Sequence, residues 1–262
     1  MKKYTILLVI VFLVVPMSAR APKEDLNIIF IGNSITYGAY HEHPELTAPP
    51  VFTAKRLARM TGRKVNYRSC GVSGATTSDF LPEPHTQQQY FRKVEKAIRE
   101  ISAISSAPIV FSIMLGTNDS ACYGPTDAPV SDELYEQNLE TIMDKLRELS
   151  PGCVIILHRP LWYSPNTFNG AMYLKAGLER MDGYLPVIEK LINKYEDVWK
   201  GSFDAYDYFE KYHERFFIPE DGNAGTFYLH PTPKGAAKLA YFWSKSIFSI
   251  TTIINQLTTQ NH

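Results

Sequence analysis

The chain has 262 residues, with 27 Lys and Arg balanced by 27 Asp and Glu. A formal net charge of zero gives no electrostatic footing for nucleic acid or for an anionic membrane surface, so neither is expected as a partner. Three cysteines, Cys70, Cys122 and Cys153, are too few for a disulfide scaffold and match no metal-ligand spacing. Buried free thiols are the plain expectation, and a bridge between Cys70 and Cys122 is the alternative.

At the start of the chain, Lys2 and Lys3 precede an apolar run from Tyr4 to Val15, then Pro16 and small residues up to Ala21. That charged, apolar, small-residue order is that of a secretory signal peptide, and the run is short for a bilayer span. Residues 1–21 are therefore expected to be a cleaved leader, and the mature protein to be secreted or periplasmic without membrane insertion. Residues 22–250 suit one large domain. Leu26 to Ile31 reads as a buried strand, stopped by Gly32. Pro49-Pro50 opens a helix over Val51 to Met60. Lys64 to Ser69 is a second strand, and a helix begun near Gln87 continues from Glu95 to Ile101. Ile109 to Leu115 is a third strand, and Ser131 caps a helix to Leu149. Val154 to Leu157 is a fourth strand. Ala171 to Tyr195 is helical with a bend at Gly183 or Pro186, Pro233 to Ile250 is a last helix, and 251–262 is a polar tail.

Strands alternating with helices predict a doubly wound α/β domain with a mainly parallel sheet. In such sheets chemistry gathers beyond the carboxyl ends of the strands, and polar segments stand there. Gly32-Asn33-Ser34-Ile35-Thr36 follows the first strand, Ser73-Gly74-Ala75-Thr76-Thr77 the second and Gly116-Thr117-Asn118-Asp119 the third. Leu229-His230-Pro231-Thr232 precedes the last helix. Singly, each has an ordinary reading: a helix-capping Ser, a tight turn, an Asx turn, a structural His. Together and in this order they resemble the blocks of the SGNH (GDSL-like) hydrolases, over essentially the whole chain from Ile28 to about Phe248.

The resemblance implies a three-layer, flavodoxin-like SGNH hydrolase fold and a serine esterase without cofactor or metal. It makes Ser34 the nucleophile and His230 its general base. The oxyanion hole would consist of the backbone N–H groups of Ser34 and Gly74 and the side-chain amide of Asn118. A serine hydroxyl needs such a base within hydrogen-bond reach, and the tetrahedral oxyanion needs preorganised donors.

Two departures stand out. Asn33 replaces the family's Asp beside the nucleophile. Phe227 occupies the place, three before the His, where the family has an acid to orient the imidazole. Asp221, on a nearby Gly-rich loop, is the first candidate for that task; Glu220 and Asp207 rank behind it, and a backbone carbonyl would also serve. The aromatic and amide-bearing stretch from His158 to Asn166 follows the fourth strand, so Arg159, Trp162 and Tyr163 are the candidate substrate contacts; the other reading is end-capping of the sheet for Trp162 and Tyr163 and a structural salt bridge for Arg159. Tyr37, Tyr40, His41 and His43 are candidates for a second wall; His41-x-His43 alone is too thin for a metal site. No long apolar lid is evident. The expected activity is removal of short acyl groups, O-acetyl foremost, from a small ester or acetylated glycan. The alternatives are an impaired SGNH-fold protein that binds glycans, or a lysophospholipase-like acylhydrolase or acyltransferase.

Overall fold

The computed structural model describes residues 24–83 and 87–260; the expected leader lies outside them. Strand β1 (Leu26–Gly32) is buried at every position, which suits the centre of a parallel sheet covered on both faces. Three helices follow, α1 (Ser34–Tyr37), α2 (Pro44–Thr47) and α3 (Pro49–Thr61). Proline opens the last because its missing N–H would have no intrahelical partner there. After β2 (Val65–Gly71), α4 (Phe91–Ser102) buries Phe91, Val94, Ala97, Ile98 and Ile101 at helical spacing. Strand β3 (Ile109–Met114) is again wholly buried. Helix α5 (Asp132–Leu149) begins at the predicted cap, where the Leu134 N–H donates to Ser131 Oγ over 3.2 Å. Next come β4 (Val154–Leu157) and α6 (Leu174–Lys194), the latter continuing through Gly183 and Pro186 as one helix. The chain closes with β5 (Val198–Lys200), α7 (Asp204–Lys211), α8 (His213–Phe216), a hairpin of β6 (Phe217–Gly222) and β7 (Gly225–Pro231), and α9 (Pro233–Gln260).

The five main strands pair in parallel in the order β2-β1-β3-β4-β5, the flavodoxin-like order of a doubly wound α/β domain. Because β1 lies between β2 and β3, the loops after these three strands converge at one end of the sheet. The hairpin β6–β7 forms a separate two-stranded sheet.

Three sequence expectations change. Val198–Lys200 adds a fifth strand, Phe217–Gly222 and Gly225–Pro231 add a hairpin that carries His230, and the last helix runs past Ile250 into the stretch taken for a tail. The Cys70–Cys122 bridge is absent: all three cysteines are free. Cys70 is buried in β2, whereas Cys122 lies in the loop beyond β3, where its thiol donates to Tyr173 O at 3.1 Å. Burial pushes the Cys70 thiol up to about 12. Among the described residues no helix is long and apolar enough to cross a membrane.

Candidate active site

Ser34 begins α1, directly over the carboxyl end of β1, and Asn33 caps that helix by accepting the Ile35 N–H at 3.0 Å. A Cβ on Gly71 would collide with the α1 backbone at Thr36 and Tyr37, so glycine at the end of β2 lets the turn bearing Ser34 sit down on the sheet. The capping role explains how Asn33 substitutes for Asp: both offer a side-chain oxygen to the same N–H.

His230 reaches this serine from 196 positions away, with Nε2 2.9 Å from Ser34 Oγ. Its Nδ1 lies 2.9 and 3.1 Å from the two carboxylate oxygens of Glu220. A carboxylate only accepts, so Nδ1 carries the proton and Nε2 is left to accept from the serine hydroxyl. Glu220 and His230 side chains are 9% and 6% exposed, so the pair is shielded from solvent screening.

The hairpin explains why the acid is Glu220 and not Asp221. Glu220 pairs with Phe227 across the ladder, and Asp221 with Thr226. Phe217 pairs with Pro231 but Pro219 with Tyr228, so β7 carries one extra residue, a bulge at Leu229–His230. In an unbroken strand, positions 227 and 230 would point to opposite faces. The extra residue reverses that parity and brings His230 to the face that holds Phe227 and Glu220. The His230 N–H, released from the ladder, donates to Glu220 Oε1 at 3.1 Å. Asp221 is exposed on the other side. The carboxylate thus stands directly across the ladder from Phe227, whose place the family gives to an acid.

Gly74 has φ 78° and open space where a Cβ would be, which leaves its backbone accessible to a ligand. Asn118 is tied at both ends of its amide: Nδ2 donates to Ala75 O at 2.8 Å, and Oδ1 accepts the Tyr173 hydroxyl at 2.7 Å. One N–H of that amide remains for the cleft. Desolvation, and then the nearby Glu220 charge, push the Tyr173 hydroxyl up, so it stays a neutral donor. Asp119 locks the loops after β2 and β3 together by accepting both the backbone N–H and the hydroxyl of Thr77. Burial raises its carboxyl to about 6. Asp119 Oδ2, Asp79 Oδ1 and Asn33 Nδ2 are buried without a protein partner.

Ser34, Gly74, Asn118 and His230 line one cleft of about 590 Å³. Its walls add Tyr37, Tyr40, Gly124, Pro125, Asn169, Gly170, Ala171 and Tyr173. The candidate contacts Arg159, Trp162 and Tyr163 are not among them. Arg159 lies over the Tyr206 ring at 3.4 Å and pairs with Asp182 at 3.0 Å and Asp207 at 3.6 Å. Trp162 packs on His213 and Phe217 beneath the hairpin, and Tyr163 is wholly buried with its hydroxyl 3.0 Å from Ser120 Oγ. This segment fastens the hairpin: Ser164 and Tyr228 exchange bonds of 2.9 and 2.7 Å, and Asn166 Nδ2 donates to Thr226 O at 2.8 Å. Its polar groups are spent on β7, on Ser120 and on Asp182 and Asp207, which is the physical reason it offers nothing to a substrate. His41 is also a fastener, with Nε2 2.9 Å from Pro231 O and Nδ1 3.1 Å from Thr47 Oγ1. Among the described residues no cluster of His, Cys, Asp or Glu could hold a metal ion.

Solved structures of like fold include Est24, a carbohydrate acetylesterase from Sinorhizobium meliloti, with a TM-score of 0.59 at 16% identity, covering 86% of this chain and 100% of that one. The lipase/acylhydrolase from Enterococcus faecalis gives 0.57 at 17% identity, covering 85% and 95%. A putative arylesterase from Agrobacterium tumefaciens str. C58 gives 0.55 at 16%, covering 86% and 99%. At such identities the likeness is one of fold. No curated protein sequence matches the chain. The sequence pattern of the GDSL-like Lipase/Acylhydrolase family matches residues 30–238, a span holding all four blocks. The chain belongs to that family and is a carboxylic ester hydrolase.

Proposed function

We propose that the protein is an exported serine esterase that removes short acyl groups, O-acetyl foremost, from a carbohydrate through an acyl-enzyme on Ser34. The observation that carries this reading is the chain of hydrogen bonds from Ser34 Oγ through His230 to Glu220, each link 2.9 Å at its shortest. As Oγ attacks the acyl carbon, Nε2 takes its proton, and Glu220 stabilises the imidazolium that forms. The charge on the former carbonyl oxygen is met by the Ser34 and Gly74 N–H groups and the free Asn118 N–H. The bond to the alcohol then breaks while Nε2 returns the proton to the leaving oxygen. Water attacks the acyl-enzyme by the same route in reverse, releasing the acid and restoring Ser34.

The wall residues favour a small acyl group. Gly124, Pro125, Gly170 and Ala171 are compact, and Leu229 is the one long aliphatic side chain in the cleft lining, whereas a long acyl chain needs a continuous apolar furrow. Aromatic Tyr37 and Tyr40 beside Asn118 and Asn169 suit a ring with apolar faces and hydroxyl edges, which favours a sugar. The fold shared with a carbohydrate acetylesterase makes an acetylated sugar the first substrate to try. The impaired glycan-binding alternative drew on the missing acid at Phe227, and Glu220 removes that motive. The test is acetate release from an acetylated glycan and an aryl acetate. Ser34→Ala should lower it by about 10³-fold or more, and equal rates in the two proteins would overturn the proposal.

A further inference from the structure

We infer that Tyr40 is the platform on which the pyranose ring of the leaving alcohol stacks, and so determines specificity on the alcohol side of the cleft. The inference deepens the esterase reading above and rests on it. Tyr40 combines three properties that packing alone does not explain. Its backbone is left-handed, at φ 64°, a conformation costly for a bulky side chain. It is 68% exposed, so no core burial offsets that cost. Its ring lies 4.8 Å from the His230 imidazole, on the wall of the cleft.

The strained turn is held from both sides. Ala39 N–H donates to Ser34 O at 3.0 Å, and His41 N–H to Gly38 O at 3.2 Å. The His41 ring is in turn clasped to the Pro231 carbonyl, one residue beyond His230. Tyr40 is therefore fixed relative to the base as well as the nucleophile. Strain that the surroundings enforce at a reacting centre is the kind that function maintains.

Chemistry assigns the side of the cleft. His230 must return its proton to the alcohol oxygen, so whatever lies against the imidazole lies against the alcohol. The C–H face of a pyranose packs on an aromatic ring, and among the described residues the Tyr40 hydroxyl has no protein partner, leaving it free for a sugar hydroxyl. Asn169, exposed on the cleft wall, adds an amide for a further one. An alkyl alcohol such as ethanol offers neither face nor hydroxyls.

The experiment compares kcat/KM for an acetylated pyranose with that for ethyl acetate in wild type, Tyr40→Ala, Tyr40→Gly and Tyr40→Phe. The ratio of the two should fall about tenfold in Ala and Gly, mainly through KM on the sugar ester, and should stay within about threefold in Phe. Tyr40→Gly should also melt at a higher temperature than wild type, because glycine adopts the left-handed backbone freely. A ratio within about threefold of wild type in both Ala and Gly would overturn the platform, as would wild type that cleaves ethyl acetate and not the sugar ester. A Gly variant that melts no higher would overturn the strain argument. Wild type that cleaves neither ester sinks the esterase reading itself.

Discussion

Replacing Glu220 by Gln tests the Ser34–His230–Glu220 arrangement at its least obvious member. Gln keeps the shape and one acceptor oxygen, so Nδ1–H retains a partner and the tautomer needed at Nε2. What is lost is the negative charge facing the imidazolium. At about 4 Å between charge centres and an effective dielectric constant near 20, that attraction is about 4 kcal/mol. The remaining amide oxygen recovers part of it, leaving a loss of about 2–4 kcal/mol, or a fall of about 30- to 1,000-fold in kcat/KM. Disabling the acid in a protease triad costs about 10⁴, so the estimate lies below that case, as it should for a variant that preserves the tautomer. Steady-state hydrolysis of an aryl acetate measures it, and the rate of Ser34 labelling by a phosphonate should fall in parallel. Asp221→Asn is the companion variant and should stay within about twofold. A Glu220→Gln enzyme within threefold of wild type, or an Asp221→Asn enzyme equally damaged, would refute the assignment.

Tyr173→Phe removes the hydroxyl that anchors Asn118 Oδ1, and should lower kcat about tenfold with little change in KM; in an Asn118→Ala background the same substitution should have no further effect on kcat, which a double-mutant cycle would read. Arg159→Ala should leave kcat/KM within about twofold while costing about 1–3 kcal/mol of stability, measured by urea unfolding, since its guanidinium pairs with Asp182 and covers Tyr206. A raised KM for the sugar ester would instead return Arg159 to the cleft. Acid sensitivity offers a further check. Burial holds the Asp119 carboxyl at about 6 and the His158 imidazole at about 3. Between about pH 4 and 6, native Asp119 keeps a proton that the unfolded chain has lost, so its contribution to stability falls as pH rises. His158 works the other way: the unfolded chain gains a proton that the native imidazole refuses, so its contribution falls as pH drops. Asp119→Asn removes the first slope and leaves the second, so on going from pH 6 to 4 the variant should lose about 2 kcal/mol more than wild type. A constant difference between the two proteins across that range would contradict the account.

The sequence exposed the sheet because β1 and β3 are apolar but for Asn27 and Ser112, and because each of the first three strands stops at a polar, glycine-bearing segment. Parallel pairing then brings Ser34, Gly74 and Asn118 together with no further information needed. Glu220 was harder to find. It sits next to Asp221, and only strand parity separates them; reading that parity requires seeing Gly222-Asn223-Ala224-Gly225 as a hairpin turn and allowing for an extra residue at Leu229–His230. A bulge has no composition of its own, so local pattern cannot announce it. The stretch from Arg159 to Asn166 was ambiguous for another reason. Aromatic rings and amides look alike whether they meet a sugar or a neighbouring strand, because both uses combine apolar contact with hydrogen bonds. Val198–Lys200 is too short to carry a period. Tyr173 gave no local signal, since its task depends on an amide 55 positions away.

His230 and Glu220 travel on one ribbon, β6–β7, and are bonded to each other within it. Any rocking of that ribbon keeps the two aligned and alters a single coordinate, its seating on the serine. Ser164 from one side and His41 from the other fix that seating. Damage at those latches would thin the population of armed molecules without slowing the ones that remain armed.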